Sequence, residues 1–234
     1  MSAPRWLRPI LAALVLWPAA ASAQSLELRD TYKRAAESHA QGRLQEAIDL
    51  SAKAVRLSER EFGPDHTQVA ASLNNLALLY YEQGSYAPAE PLLIRSLTIR
   101  EKALGPDDPV VATALSNLAE LYRAQENHAQ AEPLQLRALD IRERALGLNH
   151  PDVAQSLSNL ALIYLAQRRY AEAERLLTRS LAIFERVLGP EHPSVAQTLE
   201  NYAALLLETG RNTAADEAKD RADAIRAKQA SKKP

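Results

Sequence analysis

The chain of 234 residues contains no cysteine. Disulfides, thiolate nucleophiles, cysteine-ligated zinc and iron–sulfur clusters are therefore excluded, and packing alone must hold the fold. Glycine is scarce, with 7 residues, and aromatic residues make up only 5%, which favours helix over sheet and leaves few rings on which bases could stack. The formal net charge of −1 argues against a nucleic-acid-binding protein, because such proteins are normally basic.

Catalytic motifs are missing as well. The sequence has no G-x-S-x-G nucleophile elbow, no glycine loop that would bind phosphate and no H-E-x-x-H zinc motif. The adjacent carboxylates of Asp107 and Asp108 fall between predicted helices, where solvated acidic side chains are ordinary. We therefore expect a protein that is not an enzyme and that has no cofactor and no metal.

The first 23 residues have the pattern of a cleavable signal peptide. Arg5 and Arg8 precede an apolar run over residues 10–17, and residues 21–23, Ala-Ser-Ala, supply the small side chains that a signal peptidase requires. The run is shorter than the roughly 20 apolar residues that span a bilayer, so a retained membrane anchor is the less favoured alternative. The sequence predicts a mature chain that starts at Gln24, is periplasmic or secreted, and does not insert into the membrane.

A period of 42 residues organises the rest of the chain. Four linkers align without a gap at this spacing, and their glycines are Gly63, Gly105, Gly147 and Gly189. Between linkers, apolar residues recur at i, i+3, i+4 and i+7, which is one face of an amphipathic helix. In three repeats these residues are Leu73, Leu76, Ala77 and Tyr80; Leu115, Leu118, Ala119 and Tyr122; and Leu157, Leu160, Ala161 and Tyr164.

A second apolar stripe follows a short turn in each repeat. Tyr86, Ala89 and Leu93 are three and four residues apart, which predicts a second helix after a turn at Gly84. Glycine then ends each second helix, and Pro109 and its equivalents start the next first helix. The sequence thus predicts a repeat domain over residues 24–230, in units of about 24–61, 62–103, 104–145, 146–187 and 188–230, with residues 231–234 as a disordered tail.

The repeat resembles a known family. Residues 73–89, with the pattern Leu-x-x-Leu-Ala-x-x-Tyr-x-x-x-Gly-x-Tyr-x-x-Ala, resemble the tetratricopeptide repeat (TPR). The period of 42 residues and the Leu-Gly-Pro-x-His-Pro linkers are similar to the kinesin-light-chain subtype. The resemblance implies an all-α fold, a right-handed α-solenoid of about five TPR helix-turn-helix units. Departures from the pattern are Glu126 and Arg168 at the turn glycine, His128 at the turn tyrosine, and Gln135 and Lys219 at an apolar second-helix position.

The resemblance also implies where a partner would bind. In solenoids of this type the first helices line a concave face, on which related proteins bind extended peptides or partner helices. Four asparagines 42 residues apart lie on the first helices; this Asn ladder consists of Asn75, Asn117, Asn159 and Asn201. A carboxamide both donates and accepts, which matches a peptide backbone of any sequence. The alternative is that each Asn bonds a neighbouring helix, and the sequence leaves both open.

Other residues share the helical face of the ladder. They mix polar and apolar side chains, and Arg123 is the only clear cation in the central repeats. That composition disfavours a clamp for an acidic C-terminal tail and suits a segment with apolar anchors. The predicted partner-binding residues are Asn74, Asn75, Leu78, Tyr81, Asn117, Glu120, Arg123, Asn159, Leu162 and Asn201.

A row of cations occupies the second helices. Its members are Lys53, Arg95, Arg137, Arg179 and Arg221. The row could recognise acidic or phosphorylated segments. We favour the alternative that each cation pairs with the acid five residues earlier or with a neighbouring repeat, because acids recur as regularly as the cations.

Three histidines occupy one linker position. His66, His150 and His192 would form a metal row only if their nitrogens met at one ion, but packed helices lie roughly 8–10 Å apart. We therefore predict that these histidines start helices, as Asp108 does in the remaining linker.

The sequence as a whole predicts an exported interaction module or scaffold that binds a peptide or partner protein on the concave face. The alternatives are a self-associating structural solenoid, which would be a homo-oligomer, and an accessory subunit of a cell-envelope enzyme or secretion complex. The identity of the partner does not follow from any residue, and no nucleic acid is expected.

Overall fold

The computed structural model describes residues 23–231 and contains only α-helices there. The helices are α1 (Ala23–Ala40), α2 (Leu44–Phe62), α3 (Thr67–Glu82), α4 (Tyr86–Leu104), α5 (Pro109–Ala124), α6 (His128–Leu146), α7 (Pro151–Ala166), α8 (Tyr170–Leu188), α9 (Pro193–Glu208) and α10 (Asn212–Ser231). The predicted signal peptide up to residue 22 and the tail after Ser231 lie outside the described residues. None of these ten helices is both long and apolar enough to cross a membrane.

The helices pack in sequence order within two compact units. The first unit extends to Leu121, and in it α2 packs on α1 and α3, while α3 packs on α4. The second unit starts at Tyr122, and in it each helix from α6 to α10 packs on the next. The odd-numbered helices are the first helices of the repeat and the even-numbered helices are the second helices. The predicted all-α fold of repeated helix pairs, an α-solenoid class, is confirmed.

The apolar stripes of the sequence build the core of each unit. In the first unit, Val69 and Leu73 of α3 pack on Ala47 and Ile48 of α2. In the second unit, Leu157 of α7 lies in one cluster with residues of α8, α9 and α10. Alanines at fixed repeat positions are fully buried. Their small methyl side chains let two helices approach closely. They are Ala77, Ala119 and Ala161 on the first helices and Ala89, Ala131 and Ala173 on the second helices.

The helix ends follow the glycines and prolines of the linkers. Gly105 follows α4 with φ +87°, a left-handed conformation that glycine adopts without strain, and its N–H donates to the Glu101 carbonyl at 3.0 Å. Pro109, Pro151 and Pro193 each begin a first helix, as predicted. Pro91 and Pro133 lie inside α4 and α6 without ending either helix.

The turns inside the repeats need the same left-handed conformation, and two of them lack glycine. Gly84 has φ +80°, whereas Glu126 and Arg168 have φ +60° and +59°. The residue that follows donates its N–H back into the first helix in both cases, from Asn127 to the Tyr122 carbonyl at 2.8 Å and from Arg169 to the Tyr164 carbonyl at 2.9 Å. The turn is therefore kept, at a steric cost of about 1–2 kcal/mol for each non-glycine residue.

The departure at Gln135 is accommodated by a polar contact inside the second unit. Gln135 is 1% exposed and donates Nε2 to the Ser156 carbonyl of α7 at 3.1 Å. Arg142, also on α6, donates Nη1 to the Ser156 hydroxyl at 2.6 Å, and burial lowers the pKa of its guanidinium. The contact of α6 with α7 is thus partly polar where other repeats use leucine, such as Leu93 and Leu177.

Candidate partner-binding face

In the first unit, the predicted face is tied together by two hydrogen bonds between first helices. Asn117 of α5 donates Nδ2 to Asn74 Oδ1 of α3 at 2.8 Å, and Tyr81 of α3 donates its hydroxyl to Glu120 Oε1 at 2.8 Å. Asn74 and Leu78 are buried, at 8% and 6% exposure, so they offer a partner little surface. Tyr81, Asn117 and Glu120 are half-buried. This part of the face is polar and held in place by its own side chains.

Asn75 is the ladder residue of α3, and it differs from Asn117. Its side chain is half-buried and makes no hydrogen bond within residues 23–231. A half-buried carboxamide without a partner keeps two donors and an acceptor for a ligand. Asn75 therefore has the bonding capacity that a peptide backbone would use.

In the second unit, the ladder residues are held by glutamines of their own helices. Gln155 donates Nε2 to Asn159 Oδ1 at 2.9 Å, and Gln197 donates Nε2 to Asn201 Oδ1 at 3.5 Å. Both glutamines lie four residues before the asparagine, on the same helical face. The Nδ2 groups of Asn159 and Asn201 donate no hydrogen bond within the described residues, so both donors remain available.

Apolar side chains stand beside these carboxamides in the second unit. Leu162 and Leu165 of α7 are half-buried, Ala204 of α9 is exposed, and Leu207 is 57% exposed. Glu200, on the same face, is bound by Arg226 of α10. Arg123, near the end of α5, is half-buried and also engaged within the chain. The face in this unit combines half-buried and exposed apolar side chains with free carboxamide donors.

The ladder is therefore not uniform. Asn117 bonds a neighbouring helix, which is the structural alternative, whereas Asn75, Asn159 and Asn201 keep unused donors.

Sequence reasoning missed Gln155 and Gln197, although their spacing of four residues from the ladder was a usable signal. It also missed the contact of Asn74 with Asn117, which depends on how two helices are offset.

Members of the cation row pair with the preceding repeat. Three arginines each form an ion pair with an acid 36 residues earlier. The distances are 2.6 Å for Arg95 and Glu59, 2.7 Å for Arg179 and Glu143, and 2.5 Å for Arg221 and Glu185. Lys53 lies 2.9 Å from Glu27. The predicted pairing with a neighbouring repeat is confirmed for these three arginines. Two of the acids five residues earlier bind other arginines, since Glu132 binds Arg169 and Glu174 binds Arg211.

The linker histidines start helices, as predicted. The Nδ1 atoms of His66, His150 and His192 each accept the backbone N–H two residues on, at 3.1 Å. Asp108 Oδ1 accepts from the Val110 N–H in the same way, at 2.7 Å. The histidines satisfy amide groups that a helix leaves unpaired in its first turn. Within the described residues no three potential metal-binding side chains come together.

A partly buried ion pair lies next to the ladder in the second unit. Arg211 donates to both carboxylate oxygens of Glu174, at 2.7 and 3.0 Å, and the Tyr202 hydroxyl donates to Glu174 Oε1 at 3.0 Å. The hydrogen bonds from Arg211 lower the pKa of Glu174, although partial burial acts in the opposite direction. Burial and then the bond to Glu174 raise the pKa of Tyr202. The turn after α9 is thereby fixed to α8.

Comparison with known proteins decides the family. The profile described as tetratricopeptide repeat matches residues 27–102, 89–144, 110–185 and 152–228. The chain belongs to the tetratricopeptide repeat family. No curated protein matches this TPR chain in sequence.

Several solved structures share the fold of this TPR protein. A kinesin light chain from Podosopora anserina with nearly identical TPR-like repeats is 28% identical in sequence to this chain. The match covers 86% of this chain and 96% of that protein, and the two superpose with a TM-score of 0.70. BtubC (BKLC) from P. vanneervenii is 22% identical over 97% of this chain and 94% of its own, with a TM-score of 0.71. The kinesin-light-chain-like subtype is thus consistent with these neighbours.

A third neighbour is a Rap protein complexed with competence and sporulation factor. It is 20% identical, with a TM-score of 0.74, and the match covers 89% of this chain and 56% of the Rap chain. At this identity the likeness concerns the fold alone. TPR proteins as a family bind protein or peptide partners and are generally non-catalytic scaffolds.

Proposed function

We propose that this TPR chain is an exported scaffold that binds an extended peptide or a partner segment on the face formed by its first helices. The observation that carries the proposal is the unused bonding capacity of the ladder. Asn75 makes no hydrogen bond, and the Nδ2 groups of Asn159 and Asn201 donate none, within the described residues. Each of these residues costs its helix about 0.5 kcal/mol relative to alanine, which a bound backbone would offset.

The side chains around the ladder indicate the kind of segment. In the second unit Leu162, Leu165 and Leu207 present apolar surface beside the free donors of Asn159 and Asn201. In the first unit the face is polar, with Tyr81 and Glu120 bonded to each other. We therefore propose a segment whose apolar side chains contact these leucines of the second unit and whose backbone bonds the carboxamides of Asn159 and Asn201 in the same unit.

The fold of a structural neighbour supports a binding role. The Rap protein shares this fold and was solved in complex with competence and sporulation factor. The proposal that the present chain is exported rests on the signal pattern of residues 1–23 alone. A self-associating solenoid and an accessory subunit of a cell-envelope enzyme or secretion complex are the competing functions.

The test is capture from a cell-envelope extract with immobilised residues 24–234. The ladder variant carries Asn75→Ala and Asn159→Ala, two residues that form no bond to another helix. The matched control carries Thr98→Ala and Thr178→Ala, exposed residues on second helices whose hydroxyls bond only their own helix. We expect a partner, identified by mass spectrometry, to be lost from the ladder variant and retained by the control.

Circular dichroism of both variants should match that of the parent chain, and their melting temperatures should be equal or slightly higher, because alanine favours the helix more than asparagine or threonine does. Equal capture by parent and ladder variant would contradict the proposed face. Capture of further copies of the chain alone would support self-association instead, and substrate turnover by the purified chain would overturn a purely binding role.

A further inference from the structure

The third of the four linkers differs from the others at two consecutive positions. Leu148 and Asn149 stand where every other linker has proline followed by an acidic residue; the other pairs are Pro64-Asp65, Pro106-Asp107 and Pro190-Glu191. The end of α8 differs too, because its Val187 is a bulky apolar side chain at a position that is Glu61 in α2, Ala103 in α4, Ala145 in α6 and Gln229 in α10. All three departures fall in one repeat.

The acidic residue of a linker binds a cation on the second helix that follows. Lys102 Nζ lies 2.6 Å from Asp65 Oδ2, and Lys228 pairs with Glu191 in the last repeat. Arg186 holds the equivalent position on α8, where the linker residue is Asn149. Because a carboxamide carries no charge, Arg186 is left without an ion pair within the described residues.

The other two departures lie at the same place. Gln229, the equivalent of Val187 in α10, donates Nε2 to the Glu191 carbonyl at 2.9 Å, which shows that this helix position faces the linker. Arg179, two turns before Arg186 on α8, donates Nη2 to the Leu148 carbonyl at 3.3 Å. Leu148 is 59% exposed and Val187 is 47% exposed. By equivalence with these repeats, two exposed apolar side chains and one guanidinium without an ion pair lie at this linker.

We propose that Leu148, Asn149, Val187 and Arg186, the linker patch, form a second docking surface separate from the first helices. Its partner is a protein segment that carries an Asp or Glu next to a bulky apolar residue. The Arg186 guanidinium can bind a carboxylate through two parallel hydrogen bonds, and the Asn149 carboxamide can donate to the same group. The partner carboxylate takes the place of the acid that this linker lacks, and its apolar neighbour covers Leu148 and Val187.

Charge complementarity selects this occupant over a second copy of the chain. A symmetric contact between two linker patches would bring two Arg186 side chains together, and like charges repel. An apolar segment without an acid would leave the guanidinium unpaired at the edge of a desolvated contact. Only an acidic and apolar segment satisfies both parts of the patch.

The test uses a random peptide library displayed on phage and panned on immobilised residues 24–234. The patch variant carries Leu148→Pro and Asn149→Asp, which restores the linker of the other repeats and gives Arg186 its own carboxylate. Since three linkers already fold with proline followed by an acid, the variant keeps the helical structure. The matched control is Asp65→Asn, which frees Lys102 at another linker without exposing a leucine.

We expect selected peptides with an acidic residue within two positions of a bulky apolar one. Measured by fluorescence anisotropy, they should bind the patch variant about tenfold more weakly than the parent, bind the Asp65→Asn control normally, and weaken as sodium chloride is added. Equal binding of every selected peptide to the parent and the patch variant would overturn the proposal, and so would peptides without an acid that lose binding to the patch variant. So would a dimer in sedimentation that the patch variant abolishes.

The same peptides distinguish this inference from the proposed function. A peptide that binds the patch variant normally but not the Asn75→Ala, Asn159→Ala variant occupies the first-helix face. If all selected peptides behave in this way, the linker patch fails as a docking surface while the proposed function stands.

Discussion

Backbone strain in this fold is located at two residues in the turns between paired helices. Glu126 and Arg168 adopt positive φ at a turn where Gly84 stands in an equivalent repeat. Their side chains were recognisable as departures in the sequence, and the backbone pattern around them stays the same. Local hydrogen bonds and the packing of two helices thus impose the turn on a residue that does not favour it.

Removing that strain should stabilise the chain. We expect Arg168→Gly to raise the free energy of unfolding by about 1 kcal/mol, because glycine adopts positive φ without a steric penalty. Denaturant unfolding followed by circular dichroism measures the change. The reverse substitution, Gly84→Ala, should lower it, and an unchanged or lower value for Arg168→Gly would show that no strain is stored at this turn.

The linker histidines act through one ring nitrogen. His150→Ala should lower the free energy of unfolding by about 1 kcal/mol, the usual effect of losing a helix cap. His150→Asp should keep most of it, since Asp108 performs the same role in another linker. Thermal unfolding of the two variants checks this, and equal losses for Ala and Asp would rule out capping as the role of His150.

At the scale of helices, the periodicity of the sequence predicted the helix pairs but not the side-chain contacts between them. The repeat of 42 residues gave the helix pairs, and the glycines and prolines marked their ends, because both follow from local burial and backbone chemistry. The sequence left open which acid pairs with each arginine, such as Glu59 with Arg95, because acids lie both 5 and 36 residues earlier and only the offset of packed helices chooses between them. The hydrogen bond from Asn117 to Asn74 depends on the same offset and therefore could not be predicted from the sequence.

The polar contact of α6 with α7 is a test of packing at this scale. Gln135 donates to the carbonyl of Ser156, which already accepts a bond within its own helix. Gln135→Leu, the residue of the equivalent positions, removes a buried polar group without leaving an unpaired acceptor. We expect the melting temperature to stay the same or rise, whereas Gln135→Ala should lower it through the cavity. A clear loss for leucine would mean that the hydrogen bond is a net stabiliser.

For the whole molecule, ion pairs between repeats make the free energy of unfolding depend on pH in the acid range. The pKa of Glu174 is lowered below its ordinary 4.5 by hydrogen bonds from Arg211. A carboxyl with a lowered pKa in the folded state contributes stability that is present above pH 4.5 and is lost as the pH falls through the folded-state value. We expect chemical stability to fall below about pH 4.5 and the fall to be shallower in Arg211→Ala. A pH profile identical to that of the parent chain would contradict this coupling.

The central claim is that the first helices form the binding face. Hydrogen–deuterium exchange of residues 24–234, with and without the partner captured from the envelope extract, tests it directly. The account predicts slower amide exchange in α3, α5, α7 and α9 when the partner is bound, and no such protection in the Asn75→Ala, Asn159→Ala variant. Protection confined to α4, α6, α8 and α10 would contradict it.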